Sequence, residues 1–409
     1  MTWRKAASWI TAKRLRAHGL LLALCLWSVY LWNVATPGLR DRAGNLKGTD
    51  FLHLYTLGSL ALAHRGADLY SMQAQAELAA QRVPAAAGIR YLPLYPPQVS
   101  IFFAPFARLP YACALILWLA LSSFIYGLCC YFVWRACPNL RHERFTVLIL
   151  AIAFPGFWHL IAWGQTSALA LGCFTLAFFA LRAERDWLAG LAIGCLIFKP
   201  QLAVAAALVF VVTLRWKIIG GAVASAAGQL SAAWLYYGPG PLYDWLRSLG
   251  NALHWLPLLE PKPYQTHSLR SFWTLLLPWV SISFVLYLIT AVVVSVWTIG
   301  CWRRSLPLPL ALRYSALMLA TVLLAPHLTV YDLVILAPAF LLLSDWIVTQ
   351  PNLPATPQLK LSLYATFALP LLSPLTRWTH LQLSVPAMAV LLYGIWKLGR
   401  NSIVVGNAV

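Results

Sequence analysis

Residues 187–214 read WLAGLAIGCLIFKPQLAVAAALVFVVTL, an apolar stretch with one charge, Lys199, beside Pro200. At about 1.5 Å per residue neither half, 187–199 nor 201–214, spans the roughly 30 Å of a bilayer's hydrocarbon as a straight helix. Two readings stay open. In the first the halves are two short crossings of opposite direction, one of them a half-helix or a helix that ends in a water-filled cavity. In the second they form one helix kinked at Lys199-Pro200, which would invert the chain between about residues 135 and 187.

The rest of the chain favours the first reading. Of 409 residues, 61% are hydrophobic and only 10% charged, whereas soluble domains run nearer half apolar and a quarter charged, so most of this surface must face lipid. Further apolar runs lie near 145–162, 165–181, 218–237, 280–302, 310–326, 330–349, 361–374 and 381–397. The N-terminal run, about Gly19 to Val34, follows Arg4, Lys5, Lys13, Arg14 and Arg16 and is long enough to span. It lacks a convincing small-x-small cleavage site and reads as a retained first helix. Another run, from Gln98 to Trp134, is broken by Pro105 and Pro110 into a short dipping segment and a crossing. With two crossings at 187–214, Arg135 to Arg144, Arg182/Arg185, Arg215/Lys217, Arg303/Arg304, Lys360 and Lys397/Arg400 all fall on one side, as the positive-inside rule requires. The expectation is an all-α polytopic bundle of about twelve transmembrane helices, a single domain over residues 1–409, in a bacterial inner membrane with both termini cytoplasmic.

The formal charge of +19 is strung between apolar runs. That pattern fits membrane orientation and anionic lipid, and no nucleic-acid partner is expected. The eight cysteines lie mostly within apolar runs without zinc-type spacing, so neither a disulfide framework nor a metal site is proposed, and no cofactor is called for.

Two loops fall outside: residues 37–97 and 238–271. In the first, residues 50–65 have helical spacing with Gly66 as a stop, and a helix along the membrane surface is expected. The polar exceptions of the chain collect on this outer face: Asp50 and His53, Tyr95-Pro96-Pro97, Gly164-Gln165, Lys199-Pro200, Ser268 to Ser271 with Arg270, and Pro326-His327 with Tyr331-Asp332. Ionisable residues beside membrane spans are costly and point to function. Each also has a plain reading. Asp50 suits a helix N-terminus, Lys199 can snorkel, Gln165 can cap a crossing, Arg270 can be a solvated loop cation, and His327 an interfacial residue one turn from Tyr331.

Read in order, these segments resemble the polyprenyl-phosphate-sugar-dependent glycosyltransferases of family 87, in the C superfamily of membrane glycosyltransferases. The pieces that carry it are Asp50-Phe51, Gly66 to Tyr70, Tyr95-Pro96-Pro97 with Pro105, Leu109-Pro110 and Trp118, Gly164-Gln165, Gly190 to Gly194 before Lys199-Pro200-Gln201, Ser268, and Pro326 with Tyr331-Asp332-Leu333. The mycobacterial members look to have Ser-Pro and a Trp/His-containing segment where this chain has residues 325–332. The resemblance implies an inverting transfer of one sugar from a polyprenyl-phosphate donor to a lipid or glycan acceptor at the extracytoplasmic surface, with Asp50 as catalytic base. A phosphate leaves without protonation, so one carboxylate suffices, and Lys199 and Arg270 are the cations placed for the phosphate. Gln165, His327, Tyr331, Asp332, Tyr95 and His53 complete the expected substrate-binding set. A lipid-linked sugar transporter or flippase, which would also gather Lys199, Asp332 and His327 at a cavity, and a non-catalytic assembly subunit are the alternatives.

Overall fold

The computed structural model describes residues 3–406 except 253, 254, 256, 257, 259, 261, 304 and 307; Arg304, assigned above to the basic side, lies outside the described residues. The described chain is helical throughout, with no strand and only two isolated bridges. Among the described residues, six helices are long and apolar enough to cross a membrane: Ala12–Val34, Tyr111–Arg135, Trp216–Tyr237, Val280–Trp302, Val330–Thr349 and Thr356–Thr379. A seventh arises if Pro138–Ala153 and Pro155–Trp163, bent by 46° at Phe154-Pro155, make one span. Exposed apolar side chains clothe them, among them Leu24 and Val29 on the first helix and Val285, Ile289 and Val296 on Val280–Trp302. Without lipid that surface would not be tolerated. This is a multi-pass membrane protein.

Of the about twelve transmembrane helices expected, these six or seven are the ones long and apolar enough to span among the described residues. Gln98–Ala107, Ser167–Arg182, Asp186–Phe198 and Leu310–Leu324 are apolar helices of 10 to 17 residues. Leu310–Leu324 shows why an apolar run misleads. Every residue from Tyr314 to Leu324 is buried, so its apolarity answers to protein neighbours.

Residues 186–212 form a hairpin. The guanidinium of Arg215 grips Asp186 with two hydrogen bonds, Nη2 to Oδ1 at 2.6 Å and Nε to Oδ2 at 3.2 Å. The two ends of the segment therefore meet, and one long helix kinked at Lys199-Pro200 is ruled out. Lys199-Pro200 is the tip, where Pro200 interrupts the ladder between two short 3-10 turns. The first arm lies flush on Trp216–Tyr237. A Cβ at Gly190 would stand 2.1 Å from the Ile218 carbonyl oxygen, and one at Gly194 2.2 Å from that of Ala222. A small-xxx-small stripe lets the two backbones touch.

Helix Thr49–Leu62 does not lie along a surface. From Phe51 to Ala61 every residue is buried, because apolar side chains circle the whole helix and it is walled in by Gln98–Ala107 and an aromatic cluster of Phe51, Phe103, Phe106 and Trp118. The bundle is polarised end to end. Arg16 bonds Glu143, Asn139 bonds Asp345 and Arg215 bonds Asp186 at one end, where the basic connectors gather.

Candidate active site

Opposite that basic end, five separated segments meet. Gly48 enters the Thr49–Leu62 helix in the left-handed region, φ 66°, and Asp50 stands in its first turn. Two tyrosines fix this entry: Tyr111 Oη donates to the Lys47 and Gly48 carbonyls at 2.8 and 2.9 Å, and Tyr91 Oη to that of Thr49.

Gln165 is brought to Asp50 by a turn that only glycine fits well. Gly164 ends helix Pro155–Trp163 with φ 71°, its carbonyl takes the Trp118 indole N–H at 2.9 Å, and a Cβ on it would lie 2.8 Å from Phe51 Cβ. Gln165 Nε2 then donates to Asp50 Oδ2 at 2.7 Å. Its Oε1 accepts from the Thr166 N–H at 3.1 Å and from Tyr95 Oη at 3.3 Å. Tyr331 Oη stands 3.3 Å from the same Nε2.

Asp50 is surrounded by protein yet only partly buried. Burial pushes it up to about 6, against the pull of the Gln165 hydrogen bond and the Lys199 charge. Asp332 is different. It is 2% exposed, accepts from Lys199 Nζ at 2.7 Å and from Ser167 Oγ at 2.5 Å, and caps its own 3-10 turn through Thr329. Lys199, 6% exposed, also donates to Ser167 Oγ at 3.2 Å and lies 5.0 Å from the Tyr331 ring centre. That pair is buried, while Asp50 is only partly so.

Arg270 is paired as well. Its Nη2 meets Glu260 Oε1 and its Nε the Pro326 carbonyl, leaving Nη1 without a hydrogen bond among the described residues. His327 Nδ1 lies 2.8 Å from the same Glu260 oxygen. Burial pushes Glu260 up, but the His327 hydrogen bond and the Arg270 charge outweigh it and hold it below its ordinary value. Thr266 pairs with Thr329, and the His267 N–H donates to the Leu328 carbonyl at 3.0 Å, fastening the Arg270 loop to the Pro326–Asp332 segment. Ser268, quoted in the resemblance, is the N-cap of helix Leu269–Leu276. His53 packs among the aromatic rings beside the site, 5.4 Å from that of Tyr95. It stacks on Tyr91 at 4.6 Å, and burial holds it neutral, down at about 3, with Gln75 as its polar neighbour.

Sequence reasoning missed Glu260, Ser167 and the pair Trp163/Lys262, whose ammonium lies 5.6 Å from the indole ring. Ser167 had a signal, being polar two residues after Gln165; Glu260 had none.

An all-helical membrane bundle with ionisable residues from separate segments drawn to one end is the class of protein defined so far. Residues 94–326, more than half of the chain, match the family model of glycosyltransferase family 87. The chain belongs to that family and is a glycosyltransferase. The match takes in Tyr95, Gln165, Lys199 and Arg270, while Asp50, His327, Tyr331 and Asp332 lie beyond it. No curated protein and no solved structure matches.

Proposed function

We propose that the protein transfers a single sugar, with inversion, from a polyprenyl-phosphate donor to a hydroxyl of a lipid or glycan acceptor, at the extracytoplasmic face of a bacterial inner membrane with both termini inside, and that Asp50 is the base. The observation that carries this is the contrast between the two carboxylates. Asp332 is neutralised by Lys199 and buried, whereas Asp50 keeps some exposure and has Gln165, a neutral group, as its hydrogen-bond partner among the described residues.

As the acceptor oxygen attacks the anomeric carbon, its proton passes to Asp50 and the carbon–oxygen bond to phosphate breaks on the opposite side. The lipid phosphate departs as an anion, so no second carboxyl need act as acid. A base shifted to about 6 is still mostly ionised at neutral pH and accepts a proton more readily than an ordinary carboxylate. For the phosphate, Arg270 Nη1 is a better donor than Lys199. Lys199 has its N–H groups engaged by Asp332 and Ser167 and faces the Tyr331 ring, and its task is to hold the hairpin tip. Tyr95, Tyr331 and His327 line the approach. The polarity of the bundle supports the outward placement, since the basic connectors gather at the other end.

The test supplies purified protein in lipid with a panel of polyprenyl-phosphate sugars and compares it with Asp50→Asn. Transfer by the wild type that the substitution abolishes is expected. Transfer that survives it would remove Asp50 as the base; no transfer with any donor would favour passage of a lipid-linked sugar, or an assembly role, instead.

A further inference from the structure

The basic end holds a cavity of about 950 Å³, within the range of small-molecule sites, which is roughly 300–1,000 Å³. Four arginines line it: Arg182, Arg215, Arg303 and Arg313. Against them stand Asp186, already gripped by Arg215, and Glu184, so the cavity keeps a net positive charge. Arg313 is built in. Its guanidinium lies 5.4 Å from the Trp302 ring centre, the Trp302 indole N–H donates to its carbonyl at 3.0 Å, and its buried Nε makes no hydrogen bond among the described residues. A buried donor without an acceptor is costly, and arginines converging on one space repel one another until an anion enters. The remaining wall is mostly apolar, including Leu181, Val212 and Leu310.

We propose that this cavity is a phosphate-binding site of the basic end, shaped for the head group of an anionic membrane lipid. The guanidinium fork matches phosphate oxygens, and the apolar wall matches the glycerol and first methylenes that follow a lipid phosphate. A free phosphate would use the arginines but leave that wall bare. The site lies at the base of the hairpin whose tip carries Lys199, far from Asp50, so it is independent of the transfer reaction.

The test uses the full chain in neutral detergent and counts retained phosphatidylglycerol against phosphatidylcholine by native mass spectrometry. The wild type is expected to retain phosphatidylglycerol preferentially. Arg303→Gln, on an exposed side chain, and Arg313→Gln are each expected to weaken that retention by about tenfold, with Arg141→Gln, an exposed cation at the same end outside the cavity, as the unchanged control. A second arm adds inorganic phosphate and follows the unfolding temperature. Stabilisation lost in the same two variants, without lipid preference, would assign the phosphate to solution. Retention and stabilisation unchanged in both cavity variants, or an equal loss in Arg141→Gln, would overturn the site.

Discussion

Gln165 Nε2 donates to Asp50 Oδ2 at 2.7 Å, joining the first loop to the bundle through a side chain whose own carbonyl is held by the Thr166 N–H. Gln165 is therefore fixed with its donor toward the carboxylate. Replacing it with glutamate sets a second negative charge against Asp50 with no change of size. Transfer at pH 7 should fall by more than tenfold in Gln165→Glu, and by less in Gln165→Ala, where water can supply the lost donor. Initial rates of sugar transfer decide it; equal rates in the two variants would mean that Gln165 does not act through Asp50.

The pH profile should carry the Asp50 signature. With its carboxyl raised to about 6, kcat/KM should fall with a one-proton slope as pH drops through 6. In Gln165→Ala the limb should move to higher pH, because the hydrogen bond it removes favours the ionised form. The stability sign runs the other way. Above pH 6 the buried charge costs stability, at most on the order of 3 kcal/mol for a shift of this size, and the cost is relieved as pH falls toward 4. Asp50→Asn should thus keep or raise the unfolding temperature at pH 7 while transfer is lost, and the difference in stability should vanish near pH 4.

How far such a site is legible in sequence depends on what each residue does. Asp50, Gln165, Lys199, Tyr331 and Asp332 could be gathered because a polar residue beside an apolar run is conspicuous and the basic connectors fix which end it belongs to. Partnership could not be read. Nothing in the sequence says that Lys199 spends its charge on Asp332, 133 residues away, or that Arg270 meets Glu260. The hairpin at 187–214 was one of two readings, and the choice rests on Arg215 and Asp186, whose pairing depends on tertiary contact. The burial of Thr49–Leu62 was missed for a related reason: its apolar residues were assigned to lipid, and protein covers them.

The buried pair changes what is expected of Lys199. Its partner oxygen is 2.7 Å away, and the side chains are 7% and 3% exposed. Removing one member leaves the other charged and buried, which costs about 3–5 kcal/mol. Lys199→Met and Asp332→Leu should each lower the yield of monodisperse protein together with transfer, whereas the double variant should recover much of the yield and little of the transfer. Single variants that stay fully folded yet are inactive would return Lys199 to direct contact with the phosphate.

Gly164 offers the finest test of geometry. Alanine there must hold φ near 71°, which costs roughly 1–2 kcal/mol for a residue with a Cβ, and that Cβ meets Phe51 Cβ at 2.8 Å. Phe51 adjoins Asp50 and Gly164 adjoins Gln165, so relieving the clash must separate the two partners of the 2.7 Å hydrogen bond. Displacement of about 1 Å in a positioned group can cost a hundredfold in rate. Gly164→Ala should therefore lose transfer by ten- to a hundredfold, out of proportion to a modest fall in unfolding temperature. Gly172→Ala supplies the contrast. Its Cβ would stand 3.7 Å from Ile125 Cγ2, an ordinary contact inside a regular helix, so folding and transfer should both be preserved. Equal activity in the two variants would show that the approach of Phe51 to Gly164 does not set the position of Asp50.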